Sequence, residues 1–384
     1  MNVPKIRFKE FSDEWDYKTF DELIDIKSNT YNPSNNNINY RCIELEHINQ
    51  GSGTINGYCN SNEQKSNKNI FKNGDVLFGK LRPYLKKYWY ASFDGVCSSE
   101  IWVAKSKDNN KIINKFIFDI FQSHYFLQLC NLSTGSKMPR ADWSFIKEQS
   151  IPIPSIKEQE KISNTLELFN KKIELQSKKI EDLKLFKLSQ SNLIKIDDSY
   201  KKISLKNILK EYNEKSTINN QYEILSSTAK GIFLQSEYFN KQAASENNIG
   251  YKILRKNQLV LSPQNLWMGN ININNKYEIG IVSPSYKIFD INTNVINIEY
   301  FKNWIKSPRA LYEYMISSEQ GASIVRRNLN MDLFNEITLS VPNMNEQNKI
   351  GKMLSLIDNK ILLEEDKYKK LLELKKGLMQ NMFV

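Results

Sequence analysis

The sequence is short of the residues that carry out chemistry. Only two histidines, His47 and His124, occur in 384 residues, and neither has a partner at metal-ligand spacing. The four cysteines, Cys42, Cys59, Cys97 and Cys130, form no Cys-x-x-Cys pair, which speaks against a zinc or dithiol redox motif. Buried, reduced thiols in a cytoplasmic protein are the expectation. No apolar run nears the roughly 18 residues of a membrane span. The opening Met1-Asn2-Val3-Pro4-Lys5-Ile6-Arg7-Phe8 has no apolar signal core.

Motifs for cofactors are missing too. There is no Gly-x-x-x-x-Gly-Lys-Ser/Thr loop, so ATP hydrolysis is not expected of this chain. Gly51-Ser52-Gly53-Thr54-Ile55-Asn56-Gly57 approximates a dinucleotide loop, but its last glycine comes one place late and its composition suits a surface turn. Ser283-Pro284-Ser285-Tyr286 lacks the amide or acid and the second proline of an adenine-methyltransferase box. Glu373-Leu374-Lys375 has the Glu-x-Lys spacing of some nucleases but no upstream acid pair on a strand. No catalytic, cofactor-binding or metal-ligating residue is therefore assigned.

Positive charge is present in excess. Lys and Arg number 54 against 43 Asp and Glu, a net charge of +11 with a pI near 9.1. That balance favours a polyanion, either nucleic acid or an anionic membrane surface. Well-solvated lysines in a Lys- and Asn-rich chain would give the same balance. With 40% hydrophobic and 25% charged residues the chain is globular, and its length calls for two domains or more.

The chain repeats itself. Ile153-Pro154-Ser155-Ile156-Lys157-Glu158-Gln159-Glu160-Lys161-Ile162 matches Val341-Pro342-Asn343-Met344-Asn345-Glu346-Gln347-Asn348-Lys349-Ile350, an offset of 188. Upstream, Asn73-Gly74-Asp75-Val76-Leu77 faces Asn257-Gln258-Leu259-Val260-Leu261 at 184, Gly95-Val96-Cys97-Ser98 faces Gly280-Ile281-Val282-Ser283 at 185, and Gly135 faces Gly321 at 186. Order is kept and the offset drifts by only four residues, which marks a tandem duplication.

Each repeat ends in a helical tail. Steps of four and three give Ile162, Leu166, Phe169, Ile173, Gln176, Ile180, Leu183, Lys187, Gln190 and Ile194 in the first. The second gives Ile350, Leu354, Ile357, Ile361, Glu364, Tyr368, Leu371, Lys375, Leu378 and Met382. Both lists are apolar with polar breaks at matching places, the pattern of a coiled-coil seam. Ser155 and Asn343 are candidate N-caps, with Glu158 and Glu346 as capping-box partners. Helices of about 33 residues would span about 50 Å. Packed antiparallel, they would set one front domain at each end; two helices buried in separate cores are the alternative. The expected packing residues are Ile162, Leu166, Phe169, Ile173, Ile180, Leu183, Ile350, Leu354, Ile357, Ile361, Tyr368 and Leu371.

The front domains read as mixed α/β. Asp75-Val76-Leu77-Phe78 and Leu259-Val260-Leu261 are expected strands, and Lys115–Phe121 faces Glu299–Ile305 as helix. Basic and aromatic residues mix through Lys80, Arg82, Lys86 and Lys87, with Tyr88 and Trp89 beside them. The matching stretch of the second repeat holds Gln264, Asn265 and Trp267, and amides can read adenine in a major groove. Lys137, Arg140, Arg326 and Arg327 follow the paired glycines. These loops are the expected contacts to phosphates and base edges. Ordinary surface for the lysines, and core for Tyr88 and Trp89, is the competing reading. The expected bounds are 1–154 and 199–342 for the recognition domains, with 155–198 and 343–384 for the helices and linker.

Two variable domains, each closed by a Pro-x-x-x-Glu-Gln segment and a long helix, resemble the specificity subunit of a type I restriction–modification enzyme. The matching pieces are Pro152-Ile153-Pro154-Ser155-Ile156-Lys157-Glu158-Gln159, Val341-Pro342-Asn343-Met344-Asn345-Glu346-Gln347, Asn73-Gly74-Asp75-Val76-Leu77-Phe78, and Pro4-Lys5-Ile6-Arg7-Phe8 leading to Glu14-Trp15. The second repeat departs where Gly-Asp is missing at Asn257-Gln258-Leu259. The resemblance implies two target-recognition domains held apart by two antiparallel helices. Each domain would read half of a split site in double-stranded DNA. The chain would dock methyltransferase subunits, two in number, with translocase–nuclease subunits joining the full complex. S-adenosylmethionine, ATP and magnesium would belong to those partners, and no cofactor to this chain. A coiled-coil DNA-binding adaptor outside restriction–modification is the alternative.

Overall fold

The computed structural model describes residues 3–35, 38–132, 138–192, 200–238, 247–323 and 326–383. It divides into two compact units. Unit 1 is Met1–Lys178 with Asp366–Val384, and unit 2 is Lys179–Glu365.

Unit 1 runs β1 (Asp16–Thr19), α1 (Phe20–Leu23), β2 (Ile24–Asp25), β3 (Thr30–Tyr31), β4 (Arg41–Ile43), β5 (Cys59–Asn60), β6 (Lys68–Phe71), β7 (Val76–Gly79), β8 (Tyr88–Tyr90), β9 (Gly95–Ser98) and β10 (Ile101–Ser106). Then follow α2 (Asn114–Gln122), α3 (His124–Leu132), α4 (Trp143–Ile146), β11 (Ser150–Ile153) and the start of α5 (Ile156–Asn192). Strands β2-β10-β7-β8 form one sheet, β3-β6-β9-β4-β5 a second, and β1 pairs antiparallel with β11. The chemistry of α2 explains its place: Phe116, Ile117, Ile120 and Phe121 share one face and are fully buried against the first sheet. Tyr88 and Trp89 lie on a strand and are buried, so they are core rather than contact surface. Of the free thiols, Cys42, Cys97 and Cys130 are buried and Cys59 is half-buried.

Unit 2 repeats the order. It has β12 (Lys201–Ser204), α6 (Leu205–Ile208), β13 (Leu209–Tyr212), β14 (Leu225–Thr228), β15 (Gly231–Leu234), α7 (Gln235–Tyr238), β16 (Lys252–Arg255), β17 (Leu259–Leu261), β18 (Ile271–Ile273), β19 (Ile279–Val282) and β20 (Lys287–Ile291). Next come α8 (Ile298–Trp304), α9 (Pro308–Ile316), β21 (Ser318–Ser323), β22 (Arg326–Leu329), α10 (Met331–Glu336), β23 (Thr338–Val341) and α11 (Met344–Asn381). Sheet β13-β20-β17-β18 reproduces β2-β10-β7-β8, and β12 with β23 reproduces β1 with β11.

The repeated residues have matching physical roles. A Cβ on Gly95 would meet the Arg41 carbonyl at 2.6 Å; one on Gly280 would meet the Leu225 side chain at 2.4 Å and the Glu223 carbonyl at 3.1 Å. Both glycines let a parallel neighbour approach, through Cys42 beside Val96 and Ile224 beside Ile281. Gly74 takes a positive φ of 88°, and Asp75 accepts the Lys72 N–H at 2.8 Å. In unit 2 Asn257 takes φ of 66° and Gln258 accepts the Arg255 N–H at 2.7 Å. Asn257 thus stands opposite Gly74, not Asn73. The offset here is 183, one residue from the sequence match, because asparagine tolerates the left-handed region and glutamine reproduces the carboxylate's bond.

The Glu-Gln pair clamps each long helix to its own unit. Gln159 is buried; its Nε2 donates to the Lys111 and Pro154 carbonyls at 2.8 and 2.9 Å, and its Oε1 accepts the Ile113 N–H at 3.1 Å. Gln347 does the same with the Pro342 carbonyl at 2.9 Å, the Val295 carbonyl at 3.5 Å and the Asn297 N–H at 2.9 Å. The glutamates do not close capping boxes as expected. Glu158 holds Arg7 through two bonds of 2.8 Å, and Glu346 accepts from Tyr200 Oη at 2.8 Å. These long-range partners satisfy the carboxylates instead. Asn343 does cap, its Oδ1 taking the Glu346 N–H at 3.0 Å.

Every described seam position of α5 and α11 is buried or half-buried, while most positions between them are exposed. Ile194 lies outside the described residues. In unit 2, Lys179 meets Glu364 at 3.1 Å and Lys187 meets Asp358 at 2.7 Å, so rising numbers on α5 face falling numbers on α11 and the helices are antiparallel. In unit 1 both helices pack on α2. Ser163 Oγ donates to the fully buried Asp119 at 2.6 Å, Lys375 Nζ donates to Gln122 at 3.1 Å, and Phe383 stacks on Phe116 at 5.6 Å. Burial pushes the Asp119 carboxyl up to about 7 and pulls the Lys375 ammonium down.

Candidate nucleic-acid interface

In unit 1 the chain leaves β7 into a strained turn. Arg82 and Lys86 both adopt φ of 52°, flanking a short 3-10 turn at Pro83–Leu85. Left-handed backbone costs a non-glycine residue about 1 kcal/mol or more and is held only where surroundings impose it. Here the Arg82 N–H donates to the Pro139 carbonyl at 2.7 Å, and the Lys86 carbonyl accepts from Gly51 N–H at 2.9 Å. The Ala141 N–H returns a bond to Lys80 O at 2.9 Å, and Leu81 pairs with Arg140 as an isolated bridge. Lys80, Arg82 and Arg140, 60 positions apart at the extremes, therefore sit on one surface.

Their side chains differ in readiness. Arg82 and Lys86 are exposed, with Tyr84 between them about half exposed at 51%. Arg140 forms a bidentate pair with Glu100 at 3.0 and 3.1 Å, so an anion reaching it competes with a carboxylate. That pairing raises the Arg140 pKa and keeps the guanidinium charged. Lys87, just before β8, turns inward, its ammonium bonded to the Leu45 carbonyl. Lys137 and Gly135 lie outside the described residues.

Unit 2 builds the same junction from different chemistry. The loop after β17 holds Gln264, exposed, and Asn265, half-exposed, before a 3-10 turn at Leu266–Met268. The Arg327 N–H donates to Gln264 O at 3.2 Å, as Arg82 bonds Pro139 in unit 1. The Arg327 guanidinium lies 5.6 Å from the Trp267 ring centre and donates to the Met315 carbonyl at 3.1 Å. Arg326 lies on β22, and its side chain is outside the described residues. Gln264, Asn265, Trp267 and Arg327 thus share one surface. Sequence reasoning missed Tyr84 and Glu100, although Tyr84 was visible as an aromatic between two basic residues. Glu100 had no signal, because only the tertiary contact makes it the partner of Arg140.

No group of three or more His, Cys, Asp or Glu side chains that could hold a metal occurs among the described residues. No described helix is long and apolar enough to cross a membrane.

Residues 12–185 match the family model of the type I restriction modification DNA specificity domain. The chain is 29% identical over 158 residues to the type I restriction enzyme EcoDI specificity subunit of Escherichia coli. That match covers 40% of this chain and spans about a third, 34%, of the relative's length. Among solved structures, the type I restriction–modification S subunit from M. genitalium aligns at a TM-score of 0.60 and 18% identity, over 100% of this chain and 99% of that one. A chain from a structural study of assembly and conformational transition in the type I R-M system aligns at 0.57 and 14% identity, over 95% and 96%. At these identities the two structures establish a shared fold.

Proposed function

With residues 12–185 matching the family model of the type I restriction modification DNA specificity domain, and the whole chain sharing the fold of a type I S subunit, we propose that this protein is the DNA sequence-specificity subunit of a type I restriction–modification complex. It binds a split site in double-stranded DNA, one half per unit, with an unread gap between. The observation that carries this reading is the duplicated junction. In each unit the loop after the central strand is bonded to a distant arginine-bearing segment, which gathers basic and amide side chains on one surface. The first set is Arg82, Lys86 and Arg140; the second is Gln264, Asn265 and Arg327. Their chemistry differs, so the two half-sites differ.

The chain itself is non-catalytic in this reading. Methyltransferase subunits dock on it and bring S-adenosylmethionine; translocase–nuclease subunits bring ATP and magnesium. Adenine methylation and restriction are theirs, directed by the site this chain selects, and methylation requires the base to be flipped out of the duplex. The complex works in the cytoplasm. Selection from a random-sequence duplex library by the chain with its methyltransferase partner tests the proposal. Enrichment of one bipartite motif is expected, and retention of unselected sequence would refute it.

A further inference from the structure

Unit 2 contains a half-enclosed cleft of about 770 Å³. Its walls are the end of α5, the first half of α11, the α8–α9 corner, β15 and the turn after β18. Six lysines line it: Lys184, Lys187, Lys230, Lys276, Lys302 and Lys306. Asp358 is the one carboxylate among the lining residues, and it pairs with Lys187 at 2.7 Å. From outside the lining, Glu365 pairs with Lys184 at 2.6 Å and Glu299 with Lys302 at 3.6 Å. Glu237 also lies close enough to Lys276 to raise its pKa. Six ammonium groups against four carboxylates leave an excess of positive charge in a concave place, where it acts more strongly than in open water. Lys306 is the innermost case. Its Nζ donates to carbonyls only, Gly269 O at 2.6 Å and Ala229 O at 3.2 Å, and burial pulls its pKa down to about 8. An arriving anion would stabilise that ammonium.

The duplication supplies an internal comparison. On the equivalent helix of unit 1 lies a cavity of about 140 Å³, lined by Tyr90, Phe118, Asp119 and the Lys115–Glu167 ion pair among others. The glutamine clamps equate Ile113 with Asn297, so Phe118, Asp119 and Gln122 stand where unit 2 has Lys302, Asn303 and Lys306. Along that helix an aromatic, an acid and an amide stand where unit 2 has a lysine, an amide and a second lysine. The fold does not require this, since unit 1 folds without it.

We propose that the unit 2 cleft binds a small anion bearing several linked phosphates, of the inorganic polyphosphate or nucleoside polyphosphate class. The cleft lies in the 300–1,000 Å³ range of small-molecule sites. Several convergent ammonium groups suit closely spaced charges on one molecule.

Isothermal titration of the full-length chain with tripolyphosphate, without DNA, tests this. One site per chain is expected. Its affinity should fall at least ten-fold in Lys230→Glu/Lys276→Glu, whose exposed lysines can change without disturbing the core. It should stay unchanged in the charge-matched control Lys9→Glu/Lys65→Glu. Circular dichroism and Tm verify that each variant is folded. An ATP arm separates the ligand sources: tighter binding than tripolyphosphate places the nucleoside in the cleft, and equal binding assigns recognition to the phosphates alone. Absence of binding at millimolar tripolyphosphate, or equal loss in the control, would overturn the proposal. Competitive displacement by a short duplex would also overturn it, by assigning the cleft to the DNA surface.

Discussion

Gln159 and Gln347 each spend a buried amide on three backbone groups, so truncation strands a donor and two acceptors. Gln159→Ala and Gln347→Ala are each expected to cost about 1–3 kcal/mol, measured by urea unfolding. A loss below a few tenths would show that water replaces the clamp. At the interface, Arg327→Ala should weaken binding to the second half-site about ten-fold or more, the scale of a lost base or desolvated phosphate contact. Binding to the first half-site should be unaffected in fluorescence anisotropy. Asp119 makes a pH statement. Its folded pKa of about 7 exceeds the ordinary carboxylate value, so between roughly pH 4 and 7 the folded state holds more protons than the unfolded one. That contribution to stability is present at low pH and lost as pH rises to 7. Asp119→Asn, which keeps an acceptor for Ser163, should gain stability relative to wild type across that window. Parallel unfolding curves for the two proteins at pH 4.5 and 7.5 would contradict the assignment.

Among the elements, the long helices were the most legible. A 3.5-residue period is a direct imprint of burial on one stripe, so the seam can be read from spacing alone. Interior polar positions could be located but not explained. Glu364 is almost wholly buried between Lys179 and Lys360, each at 3.1 Å, and Lys375 reaches Gln122 on α2; such partners are set by tertiary contacts. Glu364→Leu is expected to match or exceed wild-type Tm, because burying a charge offsets much of what its pairing returns. Leu354→Ala should cost about 2–4 kcal/mol through the cavity it leaves. The strands after Gly74 and Asn257 were legible as short apolar runs, yet their register was misjudged by one residue, since Gln258 in the role of Asp75 has no sequence signature. The interface was least legible. Arg82 and Arg140, or Gln264 and Arg327, meet only through backbone bonds across the fold, and charge alone could not separate the inward Lys87 from the exposed Lys86.

For the whole molecule, duplication is the organising fact. Each unit keeps the clamp, the sheet order and the loop junction, while the residues at the junction have diverged. That is the pattern the proposed function requires of two readers on a common frame. The central claim is that this chain selects a bipartite DNA sequence for its partners, and methylome sequencing of cells with and without the gene tests it most directly. The account predicts one motif, two unlike half-sites around a fixed gap with adenine methylation in each, that disappears when the gene is removed. An unchanged set of methylated motifs, with the methyltransferase partner present and expressed, would contradict it.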